Sequence, residues 1–367
     1  MRIGLVGTGR IGSFHAAVLR RHEEVSGLVV ADAEPGRARE LARRLETAET
    51  EAGVVAGASG TDGVAAGATA TATAARVWVA DLDTLFSPEF SSQLDAVVIT
   101  AATSAHAGLI ARAAEAGLPV FCEKPIALDL EGTLIALRAA EAAGTVLQLG
   151  FQRRFDAGYA AARAAVRAGR LGRLHTVRAT TSDPAPPPAA YLPLSGGLYR
   201  DCLVHDFDMV RWVTGREVRE VYATGSDAGP AMFREAGDVA TAAALLTLDD
   251  GALVTATATR CNGAGYDVRM ELAGERDQLA VGLDGRTPMT STEPGGPPAP
   301  SAPWSGFLTR FAPAYEAELA AFVELVRGGR DNPCDGREAL HALRIAEACE
   351  RSRRERRPVA MAEIPGL

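Results

Sequence analysis

The sequence predicts a two-part α/β protein: a doubly wound parallel sheet, then an α+β region with a large, open-faced, mainly antiparallel sheet. Three observations predict it. A short apolar run, Ile3 to Val6, leads at once into a glycine turn; strand-length and helix-length apolar patterns then alternate to residue 150; beyond that the period becomes two. Ile3 to Val6 reads as a buried strand, Gly7 to Gly12 as the turn, and Ser13 to Arg21 as a helix. Val25 to Ala31 reads as a second strand ending at Asp32, followed by a helix from Arg37 to Leu45. From Thr47 to Ala75 the composition collapses to alanine, glycine, threonine and a few acids, which marks an insertion or surface loop. Alternation resumes with a strand at Val77, the strand Leu94 to Thr100 and a helix from His106 to Ala116. The strand Val120 to Cys122, the helix Leu130 to Ala143 and the strand Val146 to Phe151 complete the first domain, residues 1–150.

The second domain, residues 151–367, opens with a helix from Ala157 to Arg167. Its strands are Leu174 to Thr181, Val218 to Thr224, Val239 to Leu248, Ala252 to Arg260, Tyr266 to Ala273 and Gln278 to Leu283, with Asp249-Asp250-Gly251 as a hairpin turn. Thr287 to Pro303 is a loop, and helices around Ala314 to Arg327 and Arg337 to Arg353 end the chain. An open antiparallel sheet leaves a face to cover, so a homo-oligomer, tetramer or dimer, is expected.

Composition excludes several classes of partner. A net charge of −8, with no basic tract beyond the short Arg351 to Arg357 run, argues against nucleic acid. The longest apolar runs are strand-length, so no membrane span is expected. Cys122, Cys202, Cys261, Cys334 and Cys349 are odd in number and lack C-x-x-C spacing, which fits reduced thiols and a cytoplasmic setting.

Two motifs carry chemistry. Gly7, Gly9 and Gly12 have the G-x-G-x-x-G spacing, and with Arg10 and Ile11 they form the turn that holds a dinucleotide pyrophosphate at a helix N-terminus. Asp32, twenty residues after Gly12, is placed to accept from the adenosine ribose hydroxyls and would repel a 2′-phosphate. NAD is therefore the expected cofactor and NADP is disfavoured, although Arg37 and Arg39 lie nearby. Asp201 and His205 would stack one helical turn apart, an imidazole held by a carboxylate that can take a proton near neutral pH. Lys124, at a strand end before Pro125, is biased to a turn that can aim its ammonium into the cleft beyond the strands. Together these point to hydride transfer from an alcohol. Without further information, an exposed loop lysine and a core histidine satisfied by Asp201 are equally open readings.

The strings Gly7-x-Gly9-x-x-Gly12, Glu123-Lys124-Pro125, Gly150-Phe151-x-Arg153-Arg154-Phe155-Asp156 and Gly196-Gly197-x-x-x-Asp201-x-x-x-His205-Asp206 resemble, in this order, the glucose-fructose oxidoreductase/inositol dehydrogenase/rhizopine catabolism (Gfo/Idh/MocA) family, and its inositol 2-dehydrogenase branch most closely. The resemblance extends through Arg260-x-Asn262-Gly263-x-Gly265-Tyr266-Asp267 and Phe307-Leu-Thr-Arg310-Phe311. It implies a Rossmann domain, an open-faced α+β domain, a tetramer, and a catalytic set of Lys124, Asp201 and His205. His205 would be the general base, Asp201 its orienter, and Lys124 the electrostatic partner of the reacting hydroxyl. Thr103, His106 and Glu123 join the implied cofactor contacts, although Ala102 stands where the family usually has proline. Arg153 is implied to lie near a polyol; Asp183 and Tyr266 are further candidates for binding hydroxyls, or else a loop cap and a strand aromatic. Arg154 is expected instead to pair with Asp156 and only shape the turn. Gln152 departs from the branch's usual apolar residue.

A metal is not expected. Asp201, His205, Asp206 and Asp208 crowd together, and Asp208 returns to the Asp201 face, yet no second histidine is close and hydride transfer needs no metal. The expected activity is NAD-dependent oxidation of a ring hydroxyl of a cyclitol. The alternatives are the same chemistry on another polyol or sugar (an aldose, scyllo-inositol, an amino- or methyl-cyclitol, or inosose reduction) and a non-catalytic NAD-binding sensor.

Overall fold

A computed structural model describes residues 1–57 and 74–366. The strands are β1 (Arg2–Val6), β2 (Gly27–Ala31), β3 (Arg76–Val79), β4 (Ala96–Ile99), β5 (Val120–Glu123) and β6 (Leu147–Gly150) in one sheet. In the second sheet they are β7 (Leu174–Ser182), β8 (Val218–Ser226), β9 (Thr241–Leu248), β10 (Leu253–Thr259), β11 (Asp267–Gly274), β12 (Gln278–Val281) and β13 (Val359–Ala360). The first sheet is wholly parallel, in the order β3-β2-β1-β4-β5-β6. That is the doubly wound order in which the direction of winding reverses beside β1, so the β1 and β4 carboxyl ends open a crevice. β1, β2, β4, β5 and β6 are buried nearly throughout, as strands covered on both faces must be.

The chain packs as two compact units, and the division is not a single cut at residue 150. The first comprises Met1–Ile126, Ile135–Gly150 and Glu318–Asp335; the second comprises Ala127–Leu134, Phe151–Ala317 and Gly336–Leu367. Leu319, Phe322 and Val323, from the helix Ala312–Val326, complete the first unit's core beside Phe121, Leu5 and Val98. The Phe121 and Phe322 rings meet at 5.8 Å between centroids.

The second sheet runs β12-β11-β7-β10-β9-β8-β13, antiparallel except for the parallel pair β7 and β10. One face is buried, through Val177, Ala179, Val221, Leu246, Val254, Ala256, Met270 and Leu272. The helices Val204–Thr214 and Gly336–Glu355 pack on each other, and the latter lies against β8. The opposite face exposes Tyr222, Leu245 and Leu253, in the alternation expected of a half-covered sheet.

One helix departs from expectation. The helix Pro35–Gly57 runs past Leu45 into the segment read as an insertion from Thr47, where Ala48, Glu49, Glu51 and Ala52 favour a helix and no proline breaks it. The rest of that segment, residues 58–73, lies outside the described residues.

Phe322 is fully buried in the first unit, so Phe322→Ala removes a core ring and should lower unfolding stability by about 3–5 kcal/mol, read as a reduced urea midpoint.

Candidate active site

The first unit contributes a glycine cradle. Gly7 has φ of +100°, and a Cβ there would meet the Ala101 nitrogen at 2.4 Å; at Gly12 it would meet the Gly7 carbonyl oxygen at 2.0 Å. These two positions must be glycine for the turn to close. Gly9 differs: nothing lies within 4 Å of its Cβ direction, so its backbone is open to a ligand. It is the N-cap of the helix Arg10–Arg21, whose unsatisfied N–H groups and dipole favour an anionic pyrophosphate. Arg10 and Ile11 form the first turn, exposed and half-buried. These residues fit a bound dinucleotide.

Asp32 is held before any ribose arrives. Its Oδ2 accepts from the Thr8 backbone N–H and from Thr8 Oγ1, both at 2.8 Å, and its Oδ1 accepts from the Glu34 N–H at 2.9 Å. Burial pushes the carboxyl upward, but the Glu34 and Thr8 hydrogen bonds outweigh it and hold Asp32 below the usual carboxylate range. Arg37 pairs with Glu34 at 2.9 Å on an exposed helix face.

The β5 end carries Glu123 and Lys124. Glu123 is buried, and its Oε1 lies 2.8 Å from His15 Nε2; Lys124 is half-buried and precedes Pro125 through a cis peptide bond. Thr103 opens the helix Thr103–Glu115, and His106, one turn on, is buried. The His106 ring spans two loops: Nδ1 lies 2.7 Å from the Pro125 carbonyl and Nε2 lies 3.0 Å from the Ala101 carbonyl. His106 therefore ties the loop after Lys124 to the loop that covers Gly7. Burial holds its pKa below the ordinary histidine value.

The second unit gathers the acidic residues. Asp201 lies in a π-helical turn, Tyr199–Leu203, and His205 in the helix Val204–Thr214, so the pair does not share the single regular α-helix expected from the spacing. A π-turn widens the helix by one residue and re-aims the side chains it carries. Asp201 Oδ2 accepts from Arg260 Nη2 at 2.7 Å, and Oδ1 accepts from the Tyr191 hydroxyl at 3.1 Å. Arg260 Nη1 lies 3.7 Å from Asp183 Oδ2, and the Cys202 thiol lies 3.8 Å from the same oxygen. His205 is 9% exposed, with its ring edge-on to Phe151 at 5.7 Å. Burial, then the Asp201 charge, pushes the Tyr191 hydroxyl well above the usual tyrosine range, so it stays a donor.

Family models match both parts of the chain. The "Oxidoreductase family, NAD-binding Rossmann fold" model covers residues 1–151, and the GFO/IDH/MocA C-terminal domain model covers residues 159–280. The chain belongs to the Gfo/Idh/MocA oxidoreductase family. It is 39% identical to a myo-inositol dehydrogenase of Streptomyces leeuwenhoekii, over 96% of this chain and 97% of that protein. It is 32% identical to a myo-inositol 2-dehydrogenase of Thermotoga maritima over the whole of both chains. The crystal structure of a scyllo-inositol dehydrogenase from Lactobacillus casei with bound NAD(H) and scyllo-inositol superposes with a TM-score of 0.79, at 26% identity, covering 99% of each chain. As a member of this family the chain is an NAD-dependent oxidoreductase acting on a CH–OH group.

Within this Gfo/Idh/MocA protein several side chains are already committed. Arg153 is 2% exposed, donating Nη1 to Asp206 Oδ1 at 2.8 Å and Nη2 to Thr181 Oγ1 at 2.9 Å. It holds a buried carboxylate rather than presenting its fork at an open surface. Arg154 pairs with Asp208 and Glu338, not with Asp156; Asp156 caps the helix Ala157–Arg167 and accepts from Arg310. Asp206 and Asp208 are thus each bound to an arginine. Tyr266 is 4% exposed, its N–H bonded to the Trp304 carbonyl, and burial raises its hydroxyl far above the ordinary value.

Arg260 and Tyr191 carry the geometry around Asp201, and sequence reading gave neither a role. Arg260 had a faint signal, a charged residue closing a period-two strand; Tyr191, in a proline-rich stretch, had none. Asp32→Ala leaves the Thr8 and Glu34 donors without their acceptor and removes the repulsion of a 2′-phosphate. It should weaken NAD at least tenfold and narrow the preference over NADP, measured by titration of both cofactors.

Proposed function

We propose that the chain oxidises one ring hydroxyl of a cyclitol, myo-inositol or a close relative, to the ketone. Lys124, Asp201 and His205 carry the proton chemistry. The observation that supports this most is the fixing of Asp201 from two sides: Arg260 and Tyr191 hold both its oxygens, one turn of chain before a nine-tenths-buried imidazole. A carboxylate held that way sets orientation and charge for a neighbouring base, and the relatives named for inositol dehydrogenation supply the substrate class.

In this reading His205 takes the hydroxyl proton while the carbon-bound hydrogen leaves as hydride. NAD, when bound, supplies the acceptor at nicotinamide C4. Lys124 hydrogen-bonds the same oxygen and stabilises the alkoxide as charge builds there. Asp201 orients His205, and Arg260 keeps Asp201 aimed. Asp183 and Tyr266 are proposed to bind ring hydroxyls; Arg153 is proposed to act on the substrate region through Asp206 and Thr181. The exposed face of the second sheet, with Leu245 and Leu253 each 45% exposed, is proposed to be covered by another copy of the chain.

Turnover is tested with a panel of myo-inositol, scyllo-inositol, methyl-cyclitols and aldoses, read by the absorbance of reduced nicotinamide. A cyclitol should give the highest kcat/KM, and an aldose in that place would replace the substrate assignment. His205→Ala and Lys124→Met should each lower kcat by about 10²–10⁴ while NADH binding persists. The oxidation rate should fall as pH drops and the base becomes protonated; a pH-independent rate would remove His205 from the mechanism. Light scattering should give a multiple of 38.3 kDa.

A further inference from the structure

Under the end of β5, inside the first unit, lies a cluster of titratable groups that the reaction scheme does not use. His15 comes from the helix that follows the glycine turn, Glu123 from β5, and Glu318 from the helix Ala312–Val326, far later in the chain. All are buried, Glu318 and His15 completely, and one polar atom of each lies within 4.8 Å of the others. The surroundings are apolar: His15 meets Phe121 edge-on at 5.6 Å, Phe121 packs on Phe322, and Leu319 and Phe322 flank Glu318 on its own helix. From β6 comes Gln148, whose amide donates to the Glu318 backbone carbonyl at 3.2 Å.

The hydrogen bonding is uneven. Glu123 Oε1 has His15 Nε2 at 2.8 Å, whereas neither carboxyl oxygen of Glu318 has a partner among the described residues. Two carboxylates this close and this dry cannot both be ionised. Glu318, the more deeply buried of the two, is the one that keeps a proton. Gly150 makes the room that Glu123 occupies: a Cβ there would meet its Oε2 at 2.9 Å.

We propose that His15, Glu123 and Glu318 form one proton-sharing network, with Glu318 its neutral acid, and that this network is the device that positions Lys124. Glu318 directs its O–H toward Glu123, His15 holds Glu123 at Oε1, and the bare Gly150 backbone leaves the carboxyl the room it fills. Lys124 is the next residue, so a fixed Glu123 fixes where the ammonium-bearing backbone leaves the strand. Burial, and then the nearness of Glu123, raise the Glu318 carboxyl well above the usual range, in keeping with the geometry. Glu318 is a positioning residue and touches no reacting atom. The proposal rests on the assignment of Lys124 as the partner of the reacting hydroxyl.

The test compares Glu318→Gln, which keeps a neutral donor of the same size, with Glu318→Leu, which keeps volume and loses the donor. Infrared spectra of the full-length protein at neutral pH should show the carbonyl stretch of a protonated buried carboxyl, sensitive to D2O and absent in Glu318→Gln. Glu318→Gln should keep kcat within about threefold, since the donor is retained. Glu318→Leu should lose roughly tenfold to a hundredfold in kcat with a smaller change in KM for NAD, as misplacement of a catalytic group does. An absent band, a band that survives Glu318→Gln, or unchanged kcat in Glu318→Leu would overturn the proposal. So would a stoichiometric divalent metal in the purified protein that chelation removes from these residues. If the wild-type chain oxidises no polyol, the assignment of Lys124 fails separately, and the infrared comparison still decides whether Glu318 holds the proton.

Discussion

A charge taken out of water must bring its counter-charge with it, and the second unit is organised by that requirement. The segment from Asp201 to Asp208 places three carboxylates in or near the interior, and each meets an arginine from another element. Arg260 reaches Asp201 from the end of β10, while Arg153 and Arg154 reach Asp206 and Asp208 from the turn after β6. Removing one member of such a pair strands the other, which costs far more than the pair itself contributes. The pairing thus fixes how the helix Val204–Thr214 lies on its sheet, and with it the direction of His205. Tyr191 and Thr181 finish the job with neutral hydrogen bonds.

The fold was legible in the sequence because its strongest signals are periodic. Buried parallel strands such as Leu28 to Ala31 and Val97 to Ile99 read as unbroken apolar runs, and β9 and β10 read as alternation around Asp249-Asp250-Gly251. The glycine turn was legible for a harder reason: Gly7 and Gly12 leave no space for any side chain. Asp32 followed from its distance beyond that turn. What spacing missed was non-local. Nothing near Asp201 in sequence announces Arg260, fifty-nine positions away, and nothing near Glu123 announces Glu318. The π-turn at Tyr199–Leu203 was equally invisible, since one extra residue in a helical turn leaves the apolar pattern nearly intact.

The same difference explains the partners that the two arginines after β6 take. Arg153 follows a strand end, the position from which side chains reach ligands in parallel sheets, and that rule alone would present it to substrate. Its burial against Asp206 shows that the neighbouring helix has first claim on it. Arg154 was weighed against the acid nearest in sequence, Asp156, but Asp208 offers a drier and so stronger partner, and Asp156 is more useful as a helix cap.

The return of Glu318–Asp335 to the first unit has a consequence for how this polypeptide is made. Leu319, Phe322 and Val323 seal the hydrophobic layer under β1, β4 and β5, yet they are synthesised after nearly nine-tenths of the chain. A nascent dinucleotide-binding half emerging from the ribosome therefore has an unsealed floor around Phe121 until the late helix arrives. Closure of that floor waits on a helix made near the end of synthesis.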